Sequence, residues 1–202
     1  MATPFRLTTD GLESQFSTNH IGHFLLTKLL MPKILAAGKN ARVVNVTSDG
    51  YTIGPFRPAD YNFSNGRAYD PWSGYGQSKT ANILFTKGLA KRGVTSFVVH
   101  PGVIFGTNLS GGMEDQNSFN QIDEITRKNM GHGFEMDEPK SIEQGIATTL
   151  VAALDPNIVG ESGSYLANCS VSEPVAEYAR DPKIIDELWK VSEGIVGGKF
   201  EI

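Results

Sequence analysis

The sequence has few of the cysteines and no excess of the basic residues that are typical of secreted, nucleic-acid-binding or membrane-surface proteins. Only one of its 202 residues is a cysteine, Cys169, which excludes an internal disulfide and is typical of a reducing compartment. Basic residues are not in excess, because 18 lysines and arginines stand beside 22 aspartates and glutamates and the net charge is −4. We therefore expect a cytoplasmic protein without a nucleic-acid partner.

Long apolar runs and metal-ligand clusters are also missing. The first residues, MATPFRLTTDG, contain no apolar core of a secretory signal. The longest apolar stretch, residues 21–35, is interrupted by polar side chains and by Pro32, so no membrane-spanning segment is expected. His20 and His23 share one face of a predicted helix, but no third ligand is spaced to join them, and no metal site is predicted.

Short β-branched segments alternate with amphipathic segments along the chain. The segments RVVNVTS (42–48) and TSFVVHPG (95–102) predict strands buried on both faces, and GSYLANC (163–169) predicts a third strand. Strands that alternate with helices predict an α/β fold with a parallel sheet. No repeat or linker divides the chain, so residues 1–202 are expected to form one domain.

The helices are predicted from their caps and from apolar periodicity. The first should begin at the capping-box pair Asp10 and Glu13 and end at Gly38. Others should begin near residue 73, at Ser141 with apolar residues along one side, and at Asp181. Residues 105–134 are rich in glycine, and residues 105–120 are too polar to form part of a core. The whole segment predicts either a lid over a bound ligand or a disordered loop.

One pair of residues points to proton transfer. Tyr75 and Lys79 are four residues apart on a predicted helix, so both side chains lie on one face. A free phenol has a pKa of about 10, and a neighbouring ammonium would lower it toward the range that suits acid/base catalysis. The pair alone is equally compatible with two surface side chains that share a helical face.

The surroundings of this pair favour the catalytic interpretation. Ser48 lies where the first buried strand ends, and Pro101, Gly102 and Val103 end the next one, where parallel sheets bind ligands. Asn19 lies inside an apolar helix, where a buried amide needs a partner. Each has an ordinary explanation: a cap or turn for Ser48, a plain turn for Pro-Gly, and a satisfied core amide for Asn19.

Taken together, these motifs resemble a known family. The chain is similar to the short-chain dehydrogenase/reductases, in particular to the retinol-dehydrogenase-like and WW-domain-oxidoreductase-like branch. The resemblance covers nearly all of the 202 residues. It is carried by the stretches TTDGLESQFSTNHIGHFLLTKLLMP, RVVNVTSDGY, YGQSKTANILF, VHPGVIFGTNL, EQGIATTLVAALDP and GSYLANCSVSEPVAEYARDPKIIDELWKVSE.

The resemblance implies a role for each of four catalytic residues. Tyr75 would be the acid/base, and Lys79 would lower its pKa and bind the nicotinamide ribose. Ser48 would orient and polarise the substrate oxygen, and Asn19 would hold a water that extends the proton relay from Lys79. The implied reaction is hydride transfer between NADP, or NAD, and a lipophilic alcohol or carbonyl compound. A homodimer is the family expectation.

The remaining cofactor contacts are implied at the end of the second strand. Pro101 and Gly102 would form the turn beside the nicotinamide, and Val103 would contact the nicotinamide carboxamide. Thr107 would lie near the diphosphate. The spacing from Pro101 to Thr107 is one residue longer than the commonest family pattern.

The sequence departs from the family at its beginning. Family members start with a strand and a Thr-Gly-x-x-x-Gly-x-Gly loop that holds the pyrophosphate, and this chain has no such loop. Gly74 and Gly76 open the catalytic helix without a preceding strand, so they do not replace it. The chain is expected to be the C-terminal part of a doubly wound parallel-sheet Rossmann fold, the second half of a longer enzyme that starts here at an internal methionine.

This departure leaves two hypotheses for function. In the first, the protein is an NADP- or NAD-dependent dehydrogenase or ketoreductase, with cofactor affinity reduced by the missing loop. In the second, it is a catalytically inactive truncated fragment that acts by association with a related subunit. In the family's sheet order, the strand at 42–47 would pair with the missing strand, which leaves an apolar edge open and prone to aggregation unless another chain covers it.

Overall fold

A computed structural model describes residues 1–109, 116–174 and 176–202, and does not describe the side chains of residues 116 and 118. Residues 110–115 of the predicted polar segment therefore lie outside the described part of the chain. In the described part, no helix is both long enough and apolar enough to cross a membrane.

Four strands form one sheet in the order β1-β2-β3-β4. Strands β1 (Val43–Val46), β2 (Ser96–Val99) and β3 (Tyr165–Ala167) are parallel, and β4 (Ser170–Ser172) pairs antiparallel with β3. The three parallel strands and the α/β class are as predicted. The sequence did not reveal β4, because it is only three residues long and exposed, so it shows no apolar pattern.

Helices flank this sheet and connect its strands. The first predicted helix is one turn, α1 (Ser14–Phe16), followed by a π-helical segment (Ser17–Ile21) and by α2 (Gly22–Ala36). The others are α3 (Pro71–Lys91), α4 (Gln116–Met130), α5 (Ile142–Leu154) and α6 (Pro182–Ile195), with 3-10 turns at Asp49–Ile53, Pro156–Glu161 and Glu177–Ala179.

Most helix starts follow the predicted capping chemistry. Ser141 and Gln144 form a capping box at α5, and Asp181 caps α6. The first cap differs from the prediction: Glu13, and not Asp10, accepts hydrogen bonds from the backbone N–H groups of the first turn. Asp10 lies in the preceding turn, so the helix begins later than its sequence spacing suggested.

The second strand is the centre of a three-layer arrangement. Val98 packs with Ile83 of α3 on one face of the sheet, and Phe97 packs with Ala152 of α5 on the other. All four residues of β2 are buried, as predicted for a strand covered on both faces. Beneath the α3 layer lies an aromatic cluster that joins α1, α2, α3, α6 and the C-terminal segment: Phe16, Phe24, Phe85, Trp189 and Phe200.

Three apolar surfaces remain uncovered in the described structure. The prediction that β1 is buried on both faces is wrong: its residues are half-buried, and Val46 is 47% exposed, because β1 pairs with β2 alone. Five leucines of α1–α2 are between 38% and 67% exposed: Leu25, Leu26, Leu29, Leu30 and Leu35. The apolar side of α5 is also largely exposed, at Ile142, Ile146, Leu150 and Leu154.

Candidate active site

Tyr75 is held where α3 passes the turn that follows β1. The 3-10 turn Asp49–Ile53 approaches α3 so closely that a Cβ on Gly76 would lie 2.5 Å from the backbone nitrogen of Gly54. A Cβ on Gly50 would lie 2.7 Å from Cε1 of Tyr75. The absence of these Cβ atoms lets the turn pack directly on the helix, and Tyr75 is only 4% exposed as a result.

Ser48 caps this turn with its side chain. Its hydroxyl oxygen accepts a hydrogen bond from the Gly50 N–H (3.1 Å), and its hydroxyl group donates to Oδ1 of Asp49 (2.9 Å). The backbone N–H of Asp49 in turn donates to Nδ1 of His100 (3.3 Å). The turn is therefore fixed both by its own cap and by a side chain from the end of the neighbouring strand.

Burial dominates the ionisation of Tyr75. It raises the pKa of Tyr75 to about 12, with a further increase from the Asp49 carboxylate and an opposing decrease from the Ser48 hydroxyl. At neutral pH the side chain is therefore a phenol. Burial outweighs the lowering expected from Lys79, whose Nζ atom lies 5.6 Å from the centre of the Tyr75 ring.

Lys79 lies beside the end of β1. Its ammonium group donates to the Val46 carbonyl oxygen at a distance of 3.4 Å, and burial lowers the pKa of Lys79 to about 8. Its backbone carbonyl accepts a hydrogen bond from the Thr47 hydroxyl (2.9 Å), which joins α3 to the strand end. An ammonium has three N–H donors, so donors remain for a ligand in this part of the described structure.

Asn19 is connected to α3 by a short hydrogen-bond chain. Its Nδ2 donates to the Ser78 hydroxyl (2.9 Å), and that hydroxyl donates to the Tyr75 carbonyl oxygen (2.7 Å). Asn19 lies in the π-helical segment, a type of helix distortion that often occurs at functional sites. The amide thus has a structural partner, and its role in holding a water stays a prediction.

The Pro101-Gly102 turn lies across the same edge of the sheet. Gly102 has a φ of +84°, and the Lys140 side chain packs where a Cβ would be. The Lys140 N–H donates to the Val103 carbonyl oxygen (2.8 Å), and Val103 pairs with Pro139. The backbone at the predicted nicotinamide position is therefore fixed by the segment that leads into α5.

Thr107 lies further along the same loop. It is exposed, and its hydroxyl accepts a long hydrogen bond from the Leu109 N–H (3.4 Å). It lines the same pocket as Ser48 and Tyr75. Its predicted contact with a diphosphate stays a prediction.

An apolar pocket opens beside Ser48 and Tyr75. Its polar lining also includes Asp49, His100 and Thr107. Part of its wall comes from the predicted lid segment, where α4 replaces the expected polar loop from Gln116 onward. The apolar lining is formed by Met1, Ile53, Trp72, Val103, Ile104, Phe105, Leu109, Phe119, Ile122, Phe134 and Met136.

Sequence reasoning missed two residues beside this pocket. Asp49 follows Ser48 directly and contacts its hydroxyl, and buried His100 contacts the Asp49 backbone while its Nε2 lies 3.4 Å from Oδ2 of Asp137. That second distance is longer than a well-formed hydrogen bond. Their positions next to Ser48 and Pro101 were the available signal.

Comparison with known proteins gives relatives along the whole chain, although no family model matches it. Retinol dehydrogenase 12 of Mus musculus is 37% identical over 209 residues, which cover 100% of this chain and 60% of that protein. The short-chain dehydrogenase TIC 32 B, chloroplastic, of Brassica napus is 34% identical over 213 residues, covering 97% of this chain and 61% of that protein.

A solved structure shares the fold. An uncharacterized protein from Mycobacterium paratuberculosis has a TM-score of 0.58 and 28% identity, over 100% of this chain and 65% of that one. The chain spans about 60% of the length of the curated relatives named above. These relatives, together with the α/β fold, show that the chain belongs to the short-chain dehydrogenase/reductase family.

Proposed function

We propose that this protein is an oxidoreductase that transfers a hydride between a nicotinamide cofactor and an alcohol or carbonyl compound. The observation that carries the proposal is the position of Ser48 and Tyr75 at one end of an apolar pocket, with Lys79 on the next turn of the same helix. Oxidoreductases of this family are the relatives that cover the whole chain.

Each side chain has a task in the proposed reaction. Tyr75 transfers a proton to or from the substrate oxygen, and its raised pKa makes the phenol the form present at neutral pH. In the direction of carbonyl reduction, the phenol donates its proton to the oxygen. Ser48 positions that oxygen, and Asn19, which is hydrogen-bonded through Ser78 to the Tyr75 backbone, would hold the water of a proton relay.

The residues present fit the nicotinamide end of a cofactor. The bound cofactor would supply the hydride to a carbonyl compound as NADPH or NADH, and would accept it from an alcohol as NADP or NAD. Lys79 has spare N–H donors for ribose hydroxyls, and Gly102 and Val103 line the pocket that Tyr75 also lines. Thr107 lies further out on the same side of the pocket.

The pocket supports a lipophilic substrate. Eleven of its lining residues are apolar or aromatic, and Asp49 is the ionised side chain at its polar end in the described structure. A neutral apolar ketone or alcohol can bury its body here while its oxygen meets Tyr75. A carboxylate substrate would face the negative charge of Asp49.

Cofactor binding tests the proposal directly. We expect NADPH or NADH to bind the purified chain with at least micromolar affinity, measured by isothermal titration calorimetry. Lys79→Met should weaken this binding, whereas Lys39→Met, at an exposed turn far along the chain, should not change it. Absence of binding of either nucleotide would contradict the proposal.

A second candidate function is favoured by the uncovered apolar surfaces. If the chain binds no cofactor, the open edge of β1 and the exposed leucines of α2 support an inactive fragment that associates with a related subunit. This second function predicts that the chain forms a stable complex with a related dehydrogenase, measured by sedimentation velocity. It also predicts that the chain binds no nucleotide. Homodimerisation and a cytoplasmic location stay predictions that the same purified material and cell fractionation can test.

A further inference from the structure

His100 is a buried pocket residue whose two ring nitrogens lie beside two different segments of the chain. It directly follows β2, is 3% exposed, and lines the same pocket as Ser48. Its Nδ1 accepts a hydrogen bond from the Asp49 backbone N–H (3.3 Å). Because an N–H group can only donate, Nδ1 carries no proton, and in the neutral imidazole the proton is on Nε2. His100 therefore has one N–H donor left, on the other side of its ring.

This Nε2–H group lies beside a carboxylate without forming a hydrogen bond. In the described structure Nε2 is enclosed, has no hydrogen-bond partner, and lies 3.4 Å from Oδ2 of Asp137. Well-formed N–H···O hydrogen bonds are about 2.7–3.2 Å long, and a buried donor without an acceptor costs free energy. A small shift of Asp137 toward the ring would give this donor a charged acceptor.

Asp137 belongs to the segment between α4 and α5, residues 131–141, which forms one wall of the pocket. Phe134 and Met136 of this segment line the pocket. The Phe134 N–H donates to a carboxylate of α4 (3.0 Å), and the far end of the segment pairs with Val103. Asp137 lies between these two fixed points and directly follows a pocket residue. A ligand that packs against Met136 therefore also affects the position of Asp137.

We propose that His100 is a positioning residue that links the turn after Ser48 to this wall, and that its Nε2–H completes a hydrogen bond with Asp137 when an apolar ligand fills the pocket. The link rests on the geometry of the pocket, and its consequence for turnover rests on the oxidoreductase function given above. The Nδ1 side holds the turn that carries Ser48 for the reaction. The Nε2 side holds the wall against which the body of the substrate packs.

Four substitutions separate the two sides of the ring. His100→Asn keeps an acceptor near the place of Nδ1 but no longer reaches Asp137. His100→Gln keeps an N–H donor near the place of Nε2 but removes the Nδ1 acceptor. Asp137→Asn keeps a side-chain oxygen that can accept, and Asp137→Ala removes it. Glu138→Ala, at the exposed neighbouring position, removes a charge of the same sign and is the control.

The first measurement needs neither cofactor nor turnover. Prodan, a neutral aromatic ketone whose fluorescence reports apolar surroundings, is titrated into each variant after circular dichroism has confirmed the fold. We expect its Kd to rise about fivefold in Asp137→Ala and in His100→Asn, by less than about twofold in Asp137→Asn, and not at all in Glu138→Ala. The double variant His100→Asn, Asp137→Ala should also lose about fivefold, because both substitutions remove the same contact.

NMR of ¹⁵N-labelled histidine observes the proton itself. The unchanged protein should show His100 with its proton on Nε2, and Prodan should move this proton downfield in the unchanged protein and in Glu138→Ala, but not in Asp137→Ala. A proton on Nδ1 would overturn the proposal, and so would a Prodan-bound spectrum that is the same in Asp137→Ala as in the unchanged protein.

The Prodan titrations can contradict the proposal in three further ways. Equal Kd values for Asp137→Ala and Glu138→Ala would overturn the link, as would a loss of about 25-fold in the double variant, the product of two independent effects. Absence of Prodan binding to the unchanged protein would overturn the closure on an apolar ligand. If His100→Asn does not fold, the comparison of Asp137→Ala with Asp137→Asn and Glu138→Ala decides.

The second measurement is turnover of an apolar ketone with NADPH or NADH. Asp137→Ala and His100→Asn should raise KM about fivefold with kcat nearly unchanged. His100→Gln should lower kcat about tenfold with KM nearly unchanged, because the turn that carries Ser48 loses its anchor. The same changes of KM and kcat in His100→Asn and His100→Gln, expected of a merely structural histidine, would overturn the separate tasks of the two nitrogens. If the unchanged protein turns over no ketone, the proposed oxidoreductase function fails, whereas Prodan binding and NMR still decide whether His100 links the turn to the wall.

Discussion

At the scale of single residues, the half-buried Lys79 and the buried His20 contribute to how the stability of this protein depends on pH. Lys79 and His20 are both moved by burial toward their neutral forms. His20 packs among Phe16, Phe24 and Phe85, and its Nε2 hydrogen-bonds the Ser192 hydroxyl (2.8 Å). Neither side chain is at the surface, so each links proton binding to folding.

Lys79 should destabilise the folded protein at neutral pH. Its pKa falls from 10.5 to about 8 on folding, so between these values the unfolded chain binds more protons and the free energy of unfolding rises with pH. Above about pH 10, Tyr75 should lower the free energy of unfolding as the pH rises. Its pKa is raised on folding, so the folded chain then binds more protons than the unfolded chain.

We therefore expect the free energy of unfolding to increase between about pH 8 and about pH 10, and expect Lys79→Met to be more stable at neutral pH and to lack this increase. Urea unfolding followed by circular dichroism measures both. Lys39→Met, at an exposed position, serves as the control. An equal slope in Lys79→Met would show that Lys79 is not the titrating group.

His20 should cause loss of stability in acid. Its pKa is lowered from 6.5 to about 3, so the stability that it contributes is present above pH 6.5 and is lost as the pH falls toward 3. The loss is about 5 kcal/mol over that range. We expect His20→Gln to flatten this part of the pH profile in thermal unfolding, while exposed His132→Gln leaves it unchanged.

The sequence located the candidate site but not all of its residues. Tyr75, Ser48 and the Pro101-Gly102 turn could be found because helix spacing and strand ends are visible in the pattern of residues. Asp49 could not, because its hydrogen bond with the neighbouring Ser48 hydroxyl depends on local conformation and leaves no pattern in the sequence. The roles of Asn19 and Thr107 stay predictions.

At the scale of elements, the packing of the 3-10 turn on α3 is the contact that forms the site. A Cβ added to Gly76 would lie 2.8 Å from the Gly50 carbonyl oxygen and 2.5 Å from the Gly54 backbone nitrogen. Both neighbours are backbone atoms, which cannot move aside as a flexible side chain can. The turn and the helix must separate if Gly76 gains a side chain.

We expect Gly76→Ala to lower the free energy of unfolding by about 1–3 kcal/mol, through overpacking, and to displace Tyr75 from Ser48. Gly194→Ala is the matched control, because it lies near the end of α6 with open space around its Cβ position and should stabilise the helix by up to about 1 kcal/mol. Chemical denaturation of both variants measures the difference. Equal stability of the two would contradict this packing.

Element types were more predictable than element burial. The β-branched run at 43–46 and the apolar periodicity of α2 and α5 gave strand and helix correctly. Periodicity shows which side of an element is apolar, but not whether another element covers it. The half-exposed β1 and the exposed side of α5 therefore differ from what their sequences suggested.

At the scale of the whole molecule, the described part of the chain has uncovered apolar surfaces on β1, α2 and α5. Helix α3 packs on one face of the sheet and α5 on the other, while β1 forms the edge. The open backbone groups of an edge strand and the exposed leucines of α2 are both suited to association.

We expect the purified chain to self-associate at micromolar concentration and expect the double variant Leu26→Glu, Leu29→Glu to reduce this association about tenfold, because charges would then be buried in the contact. Sedimentation velocity over a concentration series measures the change. Ile202→Glu, at an apolar position near the C-terminus that is 41% exposed, is the control. A monomeric chain at all concentrations would show that these surfaces do not drive association.

The measurement that tests the central claim most directly is turnover at saturating NADPH or NADH, with an apolar ketone and its alcohol, for the unchanged protein and for Tyr75→Phe. The substitution removes only the hydroxyl, so cofactor binding and folding should be kept. We predict measurable turnover by the unchanged protein and a decrease of about a thousandfold in Tyr75→Phe, since proton transfer by a positioned side chain contributes about 10²–10⁴-fold. Full activity in Tyr75→Phe, or no turnover by the unchanged protein, would contradict the assignment of this pocket as the proton-transfer site of a dehydrogenase.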